Sequence, residues 1–113
     1  MYKRNLTSAN FRKALRLKVA HRIFGAHVFR HEDDKGKWRL SQPLYDGVMV
    51  AVDRLWEKRE QLVKKKSLVT KGLSKLLGNE AAYEVIVGRP NTAKAVGKRV
   101  DLIVRAMERA ARR

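Results

Sequence analysis

Apolar residues recur at every third or fourth position over most of this chain, and the densest such stretch is Pro43 to Trp56. Leu44, Val48, Val52 and Leu55 fall on one side of a helix, with Ala51 and Trp56 beside them, while Met49 and Val50 widen the apolar arc. A helix that is oily over most of its surface has to be covered by neighbours, so this segment is expected to be the central helix of a small core. Ser41 is placed to cap its first turn, and Pro43 falls where a missing N–H costs nothing.

The flanking segments follow the same rhythm. From Ser8 to about Phe24, the four-residue spacing of Phe11, Leu15, Val19 and Ile23 predicts an inner face, with the cations mostly elsewhere around the cylinder. Gly25 is suited to end that helix, because glycine enters the left-handed region without penalty. Residues 26–30 are expected to add a turn that packs Val28 and Phe29. His31 to Gln42 reads as an exposed loop built on Glu32-Asp33-Asp34 and Lys35-Gly36-Lys37. The alternative is a hairpin pairing Val28–Arg30 with Trp38–Leu40 across Asp34 to Gly36, less favoured because an isolated two-stranded ribbon is marginal. Beyond the central helix, residues 57–66 keep helical propensity and either continue it or bend near Lys64-Lys65-Lys66. Leu68, Val69, Leu73, Leu76 and Leu77 mark another helix, closed by Gly78-Asn79. Glu80 to Val87 fits a short helix or a strand, and the helix, with Tyr83, Ile86 and Val87 inward, is preferred because no strand partner is evident. Thr92 caps a last helix whose stripe of Val96, Val100, Ile103, Val104 and Met107 packs inward. The expected fold is all-α, a compact bundle of four main helices plus one short helix, forming a single domain over residues 1–113.

Charge changes the picture from a generic bundle to a polyanion binder. Lys and Arg number 27 against 11 acids, a net charge of +16. The excess is gathered: residues 1–31 hold eight bases and no acid, residues 58–75 seven against Glu60, and residues 92–113 seven against Asp101 and Glu108. Such density is the footprint of phosphate-backbone contact through counterion release. The candidate contacts are Arg12, Lys13, Arg16 and Lys18 on the first helix, then Lys64, Lys65, Lys66, Lys71 and Lys75, with Arg89 and Lys94 flanking the last helix start. A solvated lysine face that keeps the protein in solution is the plainer reading of the same residues. Trp38 is the aromatic placed where a base could stack, so little sequence specificity is expected. The turn at Gly88 to Thr92 is either an anion seat or an ordinary cap.

Other chemistry finds less support. The chain has no cysteine, which excludes disulfides and thiolate metal sites and favours a reducing, cytoplasmic setting. No apolar run approaches the roughly 20 residues a membrane span needs, and residues 1–10 lack the core of a signal peptide. His21, His27 and His31 are read as solvated or core-edge residues rather than zinc ligands. Glu32, Asp33 and Asp34 resemble a magnesium-binding cluster in type, but no second motif of the Asp…Glu-x-Lys sort accompanies them, so a solvated acidic loop is preferred. Asp46 and Asp53 lie seven apart on the central helix, where a carboxylate needs a cation; a structural ion pair between Asp46 and Arg99 is expected.

Several pieces in order resemble the C-terminal helical part of the ParB-like-domain restriction proteins, the GmrSD type of modification-dependent phage-defence enzymes. They are Ile23-Phe24-Gly25 with Phe29-Arg30, Pro43-Leu44-Tyr45-Asp46 running into Val48 to Ala51, Leu73 to Leu77, and Gly88 through Asn91-Thr92 to Val96, Arg99 and Val100. In that family an N-terminal ParB-like domain carries nucleotide-dependent activity, marked by an Asp-Gly-Gln-Gln-Arg type motif, and some members append an HNH nuclease domain. Neither motif is present in this sequence. The resemblance implies the helical portion without the chemistry, as a stand-alone relative or as the C-terminal part of a larger chain. The combined expectation is a non-enzymatic module without cofactor that contacts nucleic acid, duplex DNA before RNA, or positions an adjoining ParB-like or nuclease domain. A protein-interaction or oligomerisation module that docks a partner or effector domain is the second reading. A minimal magnesium nuclease built on the acidic loop is the third.

Overall fold

The computed structural model describes residues 8–88 and 92–113. It is mostly α-helical: α1 (Ser8–Phe24), α2 (Gln42–Arg54), α3 (Arg59–Lys64), α4 (Lys66–Leu77), α5 (Glu80–Val87) and α6 (Ala93–Ala111). Two single 3-10 turns, Gly25–His27 and Trp56–Lys58, and two short strands, β1 (Arg30–Glu32) and β2 (Trp38–Leu40), complete the described elements. The all-α expectation therefore holds at the level of class, but the tally of four helices plus one is corrected. Among the described residues there are six α-helices and a hairpin.

The extra breaks have local causes. The central helix stops at Arg54, Leu55 leaves helical geometry with φ −98° and ψ 21°, and Trp56–Lys58 makes one tight turn. Lys65 repeats that geometry between α3 and α4, with φ −100° and ψ 26°. The chain thus bends at the lysine triplet rather than running through it. Each bend keeps an apolar residue inward, for Leu55, Leu62 and Val69 are all buried.

α2 is central as expected. Ser41 Oγ accepts from the Leu44 N–H at 3.2 Å, Pro43 lies in the first turn, and Leu44, Val48, Ala51 and Val52 are fully buried. The apolar arc is narrower than the composition suggests, since Val50 is 41% exposed. α6 crosses α2 at Gly47. A Cβ there would stand 2.6 Å from Ile103 Cδ1 and 3.2 Å from Arg99 Cγ, so the crossing is as close as a glycine permits. Arg54 to Asp101 at 3.1 Å, Lys58 to Glu108 at 2.7 Å and Gln61 to the Ala111 carbonyl at 2.9 Å then lace the α2–α3 segment along α6. Val19, Ile23, Val69, Leu73, Ile86, Ile103 and Met107 join α2 in one buried cluster.

The hairpin, the less favoured alternative above, is formed, with β1 two residues later than that alternative placed it: Arg30 pairs with Leu40, His31 with Arg39 and Glu32 with Trp38. Asp33 wires the turn. Its Oδ1 accepts from the N–H groups of Lys35 and Lys37, both at 2.9 Å, and its N–H donates to the Lys37 carbonyl at 2.8 Å. Tertiary packing supplies what an isolated ribbon lacks. His31 is buried with its Nδ1 3.3 Å from the Tyr83 hydroxyl, and Trp38 stacks on His27 with ring centroids 3.9 Å apart. Ahead of β1, Phe29 takes a left-handed φ of 62°, unusual for a bulky residue, and is held there by burial beside Tyr45, 4.6 Å away between ring centroids.

Candidate nucleic-acid interface

The first helix does not present its cations as one ridge. A four-residue step overshoots a helical turn by about 40°, so a stripe spaced that way winds around the cylinder. Val19 and Ile23 are accordingly buried, Leu15 is half-buried and Phe11 is 56% exposed. Arg12 and Arg16 occupy the face that Phe11 leaves. Arg16 Nε donates to Asp53 Oδ1 at 2.7 Å, Arg12 Nη2 reaches the same oxygen at 3.6 Å, and the Arg16 guanidinium lies 4.0 Å over the Trp56 ring. Arg16, its side chain 11% exposed, is spent on the α1–α2 contact, whereas Arg12, 62% exposed, stays at the solvent edge of that pair. Lys13 and Lys18 remain exposed.

The second group is more open. Lys64 and Lys66 are exposed on either side of the bend at half-buried Lys65, and Lys71 and Lys75 are exposed on α4. α4 is joined to α1 by Thr70, whose hydroxyl donates to the Ile23 carbonyl at 3.1 Å. Lys94 is exposed in the first turn of α6, where Thr92 Oγ1 accepts from the Ala95 N–H at 3.1 Å. Arg89 lies outside the described residues, as does most of the Gly88 to Thr92 turn.

Internal carboxylates neutralise little of this charge. The ion pairs among the described residues engage Arg12, Arg16, Arg39, Arg54 and Lys58, held by Asp53, Asp33, Asp101 and Glu108. None of the lysines in the candidate set belongs to one of these pairs. Two of the acids are shifted by their partners. The hydrogen bond from Arg39, with help from the Lys37 N–H, holds Asp33 below the usual carboxylate range and raises Arg39 in return. The Lys58 ammonium does the same for Glu108.

The expected Asp46–Arg99 pair is not formed. Asp46 is exposed in the first turns of α2 and accepts from Gln42 Nε2 at 3.0 Å. Arg99 is 1% exposed, lays its stem against Gly47 and directs Nε to the Val85 carbonyl, 3.4 Å away. It is Gly47, the next residue along α2, that packs directly against α6. Asp53, the other carboxylate of that helix, holds the ion pairs to α1.

The remaining candidates are absorbed into packing. His21 meets Phe29 edge-on at 6.1 Å, and His27 and His31 are stacked or packed on aromatic rings as described. One face of Trp38 is therefore already covered by His27. Among the described residues no group of three or more histidine, aspartate or glutamate side chains is arranged to hold a metal ion. Asp33 spends its carboxylate on the hairpin turn and Arg39. No helix among the described residues is long and apolar enough to cross a membrane.

Sequence reasoning missed a groove between α4, α5 and α6. It has a volume of about 650 Å³, a floor that includes Leu76, Val85 and Leu102, and a rim carrying Lys71, Lys75, Arg109 and Arg113. Arg109 lies in the last turn of α6 and Arg113 just past its end, and nothing in the sequence places them opposite the α4 lysines. No family model, curated protein or solved structure matches the chain. The resemblance to the ParB-like restriction proteins thus rests on the residues that carry it.

Proposed function

We propose that this protein is a non-catalytic helical module that holds the backbone of a nucleic acid, duplex DNA first, through exposed lysines and with little sequence preference. The observation that supports it is the surplus of exposed lysines outside the ion pairs, in a chain of net charge +16. Arg16 is spent on the α1–α2 contact, so exposed Arg12 together with Lys13, Lys18, Lys64, Lys66, Lys71 and Lys75 carries the reading. Backbone contact fits a surface whose aromatic rings are mostly buried or stacked on one another, since base readout needs free ring faces or base-edge donors. The resemblance to the C-terminal helical part of the ParB-like restriction proteins supports a role in the cytoplasm beside an attached ParB-like or nuclease domain, which the module would position on DNA.

The test is binding of a fluorescein-labelled duplex at several salt concentrations. Affinity falls as a power of salt, with a slope of about 0.9 per phosphate neutralised. The quadruple change Lys13→Glu, Lys18→Glu, Lys64→Glu, Lys66→Glu weakens binding to unrelated duplexes alike and flattens that slope. Binding that ignores salt, or no retention at low salt, would remove the proposal.

A further inference from the structure

The groove between α4, α5 and α6 joins an apolar floor to a basic rim. Its floor is apolar and half-open, with Leu68, Leu76 and Leu102 only partly covered and small residues such as Gly72 and Ala106 between them. Its volume of about 650 Å³ lies within the range of ligand-binding clefts, roughly 300–1,000 Å³. A phosphate backbone gains nothing from a leucine floor. The polar rim is Lys71 and Lys75 from α4, Arg109 from α6, Arg113 just beyond its end, and Asn79, with no acid. Lys71 and Lys75 are spaced four residues apart, about 6 Å along the axis of α4, and Arg109 is joined by Arg113 just past the end of α6.

We propose that this groove seats an acidic amphipathic helix of a partner protein. Leucine-type side chains of that helix, three and four residues apart, enter between α4 and α6, and the glutamates or aspartates flanking its apolar stripe reach the two cation pairs. Both the floor and the rim argue for this occupant. An apolar floor requires an apolar stripe, and two separate basic pairs on opposite rims match acids repeated along a partner helix better than the single head group of a fatty acid. Lys71 and Lys75 belong also to the nucleic-acid set, so a seated helix covers part of that surface and competes for it.

The experiment uses a fluorescein-labelled, end-capped 18-residue synthetic helix with a leucine stripe flanked by glutamates. Controls are its scrambled sequence, its Glu→Lys counterpart, dodecanoate and a labelled DNA duplex. Ala81, exposed at the groove wall on α5, is the site for a blocking change that leaves the core alone. The acidic helix is expected to bind with micromolar affinity, the scrambled and Glu→Lys helices at least tenfold more weakly. Ala81→Trp and the pair Arg109→Glu, Arg113→Glu should each weaken it about tenfold, with circular dichroism and melting unchanged and duplex binding retained by Ala81→Trp. The proposal is overturned if the helix does not bind, or if Ala81→Trp leaves its affinity intact. It is overturned equally if dodecanoate alone fills the groove, if Ala81→Trp lowers duplex affinity as much as helix affinity, or if the groove proves to be covered by a second copy of this chain.

Discussion

Arg16 Nε donates to Asp53 Oδ1 at 2.7 Å while its guanidinium carbon sits 4.0 Å over the Trp56 ring, so one side chain of α1 closes on both the end of α2 and the turn that follows it. Arg59 approaches that ring too, at 4.6 Å, making Trp56 the shared platform of two guanidinium groups. A cation that looks like surface charge in the sequence is thereby part of the helix–helix contact.

Arg16→Gln is expected to destabilise the fold by about 1 kcal/mol, most of it from the ring contact, because Asp53 is nearly half exposed and water screens the ion pair. Lys18→Gln, which removes an exposed cation, stays within about 0.5 kcal/mol. Urea denaturation of the two variants makes the comparison; equal losses would contradict the division of α1 into a packing side and a solvent side.

Gly47→Val puts a branched side chain where even a Cβ would press on Ile103 and the stem of Arg99. Overpacking of this kind costs about 1–3 kcal/mol, so the midpoint of urea unfolding falls. The α2–α6 approach would have to be looser than described if the variant melted with the parent.

Glu108 gives a pH dependence whose sign is fixed. Its carboxyl titrates below its ordinary 4.5 when folded because Lys58 donates to it. The unfolded chain therefore binds the proton more readily, and the pair's contribution is complete above about pH 4.5 and disappears as the pH falls through the lower folded value. The melting temperature of Glu108→Gln should lie below the parent's at pH 7 and converge with it in stronger acid. A gap that widened on acidification would reverse the assignment.

Asp33→Ala removes the acceptor of two backbone N–H groups and the partner of Arg39. Amide exchange should accelerate at Lys35, Lys37 and through β2, while α2 and α6 keep their protection, because the core does not depend on that turn. Simultaneous loss of protection in the helices would show that the hairpin supports the bundle.

Much of the skeleton was legible along the chain. Caps at Ser41 and Thr92 and the left-handed glycine at Gly25 follow from local chemistry that a sequence states outright. The inward stripe of α6 did too, for Val100, Ile103 and Met107 are buried as their spacing requires. The hairpin was harder to read because its stability comes from Tyr83 and His27, distant or offset residues that no turn motif reports. The break at Leu55 was not legible, and the bend at Lys65 only as one of two alternatives, for a related reason: both sit within segments of continuous helical propensity, and only packing decides where such a segment breaks.

The sequence by itself determined that this protein folds mostly as α-helices around the Leu44–Val52 stripe and carries far more positive than negative charge. Periodicity and composition are properties of the chain, and they fix which surfaces must be buried and how many cations there are to place. Which cations are spent on packing was decided by the tertiary structure alone. Asp53 takes Arg12 and Arg16, Arg99 turns inward past Gly47 instead of meeting Asp46, and Lys71, Lys75, Arg109 and Arg113 gather around one apolar groove. Those partnerships join residues far apart along the chain, as Arg16 and Asp53 are by 37 positions, and their geometry exists only once helices cross at particular angles and separations, information that local spacing does not contain.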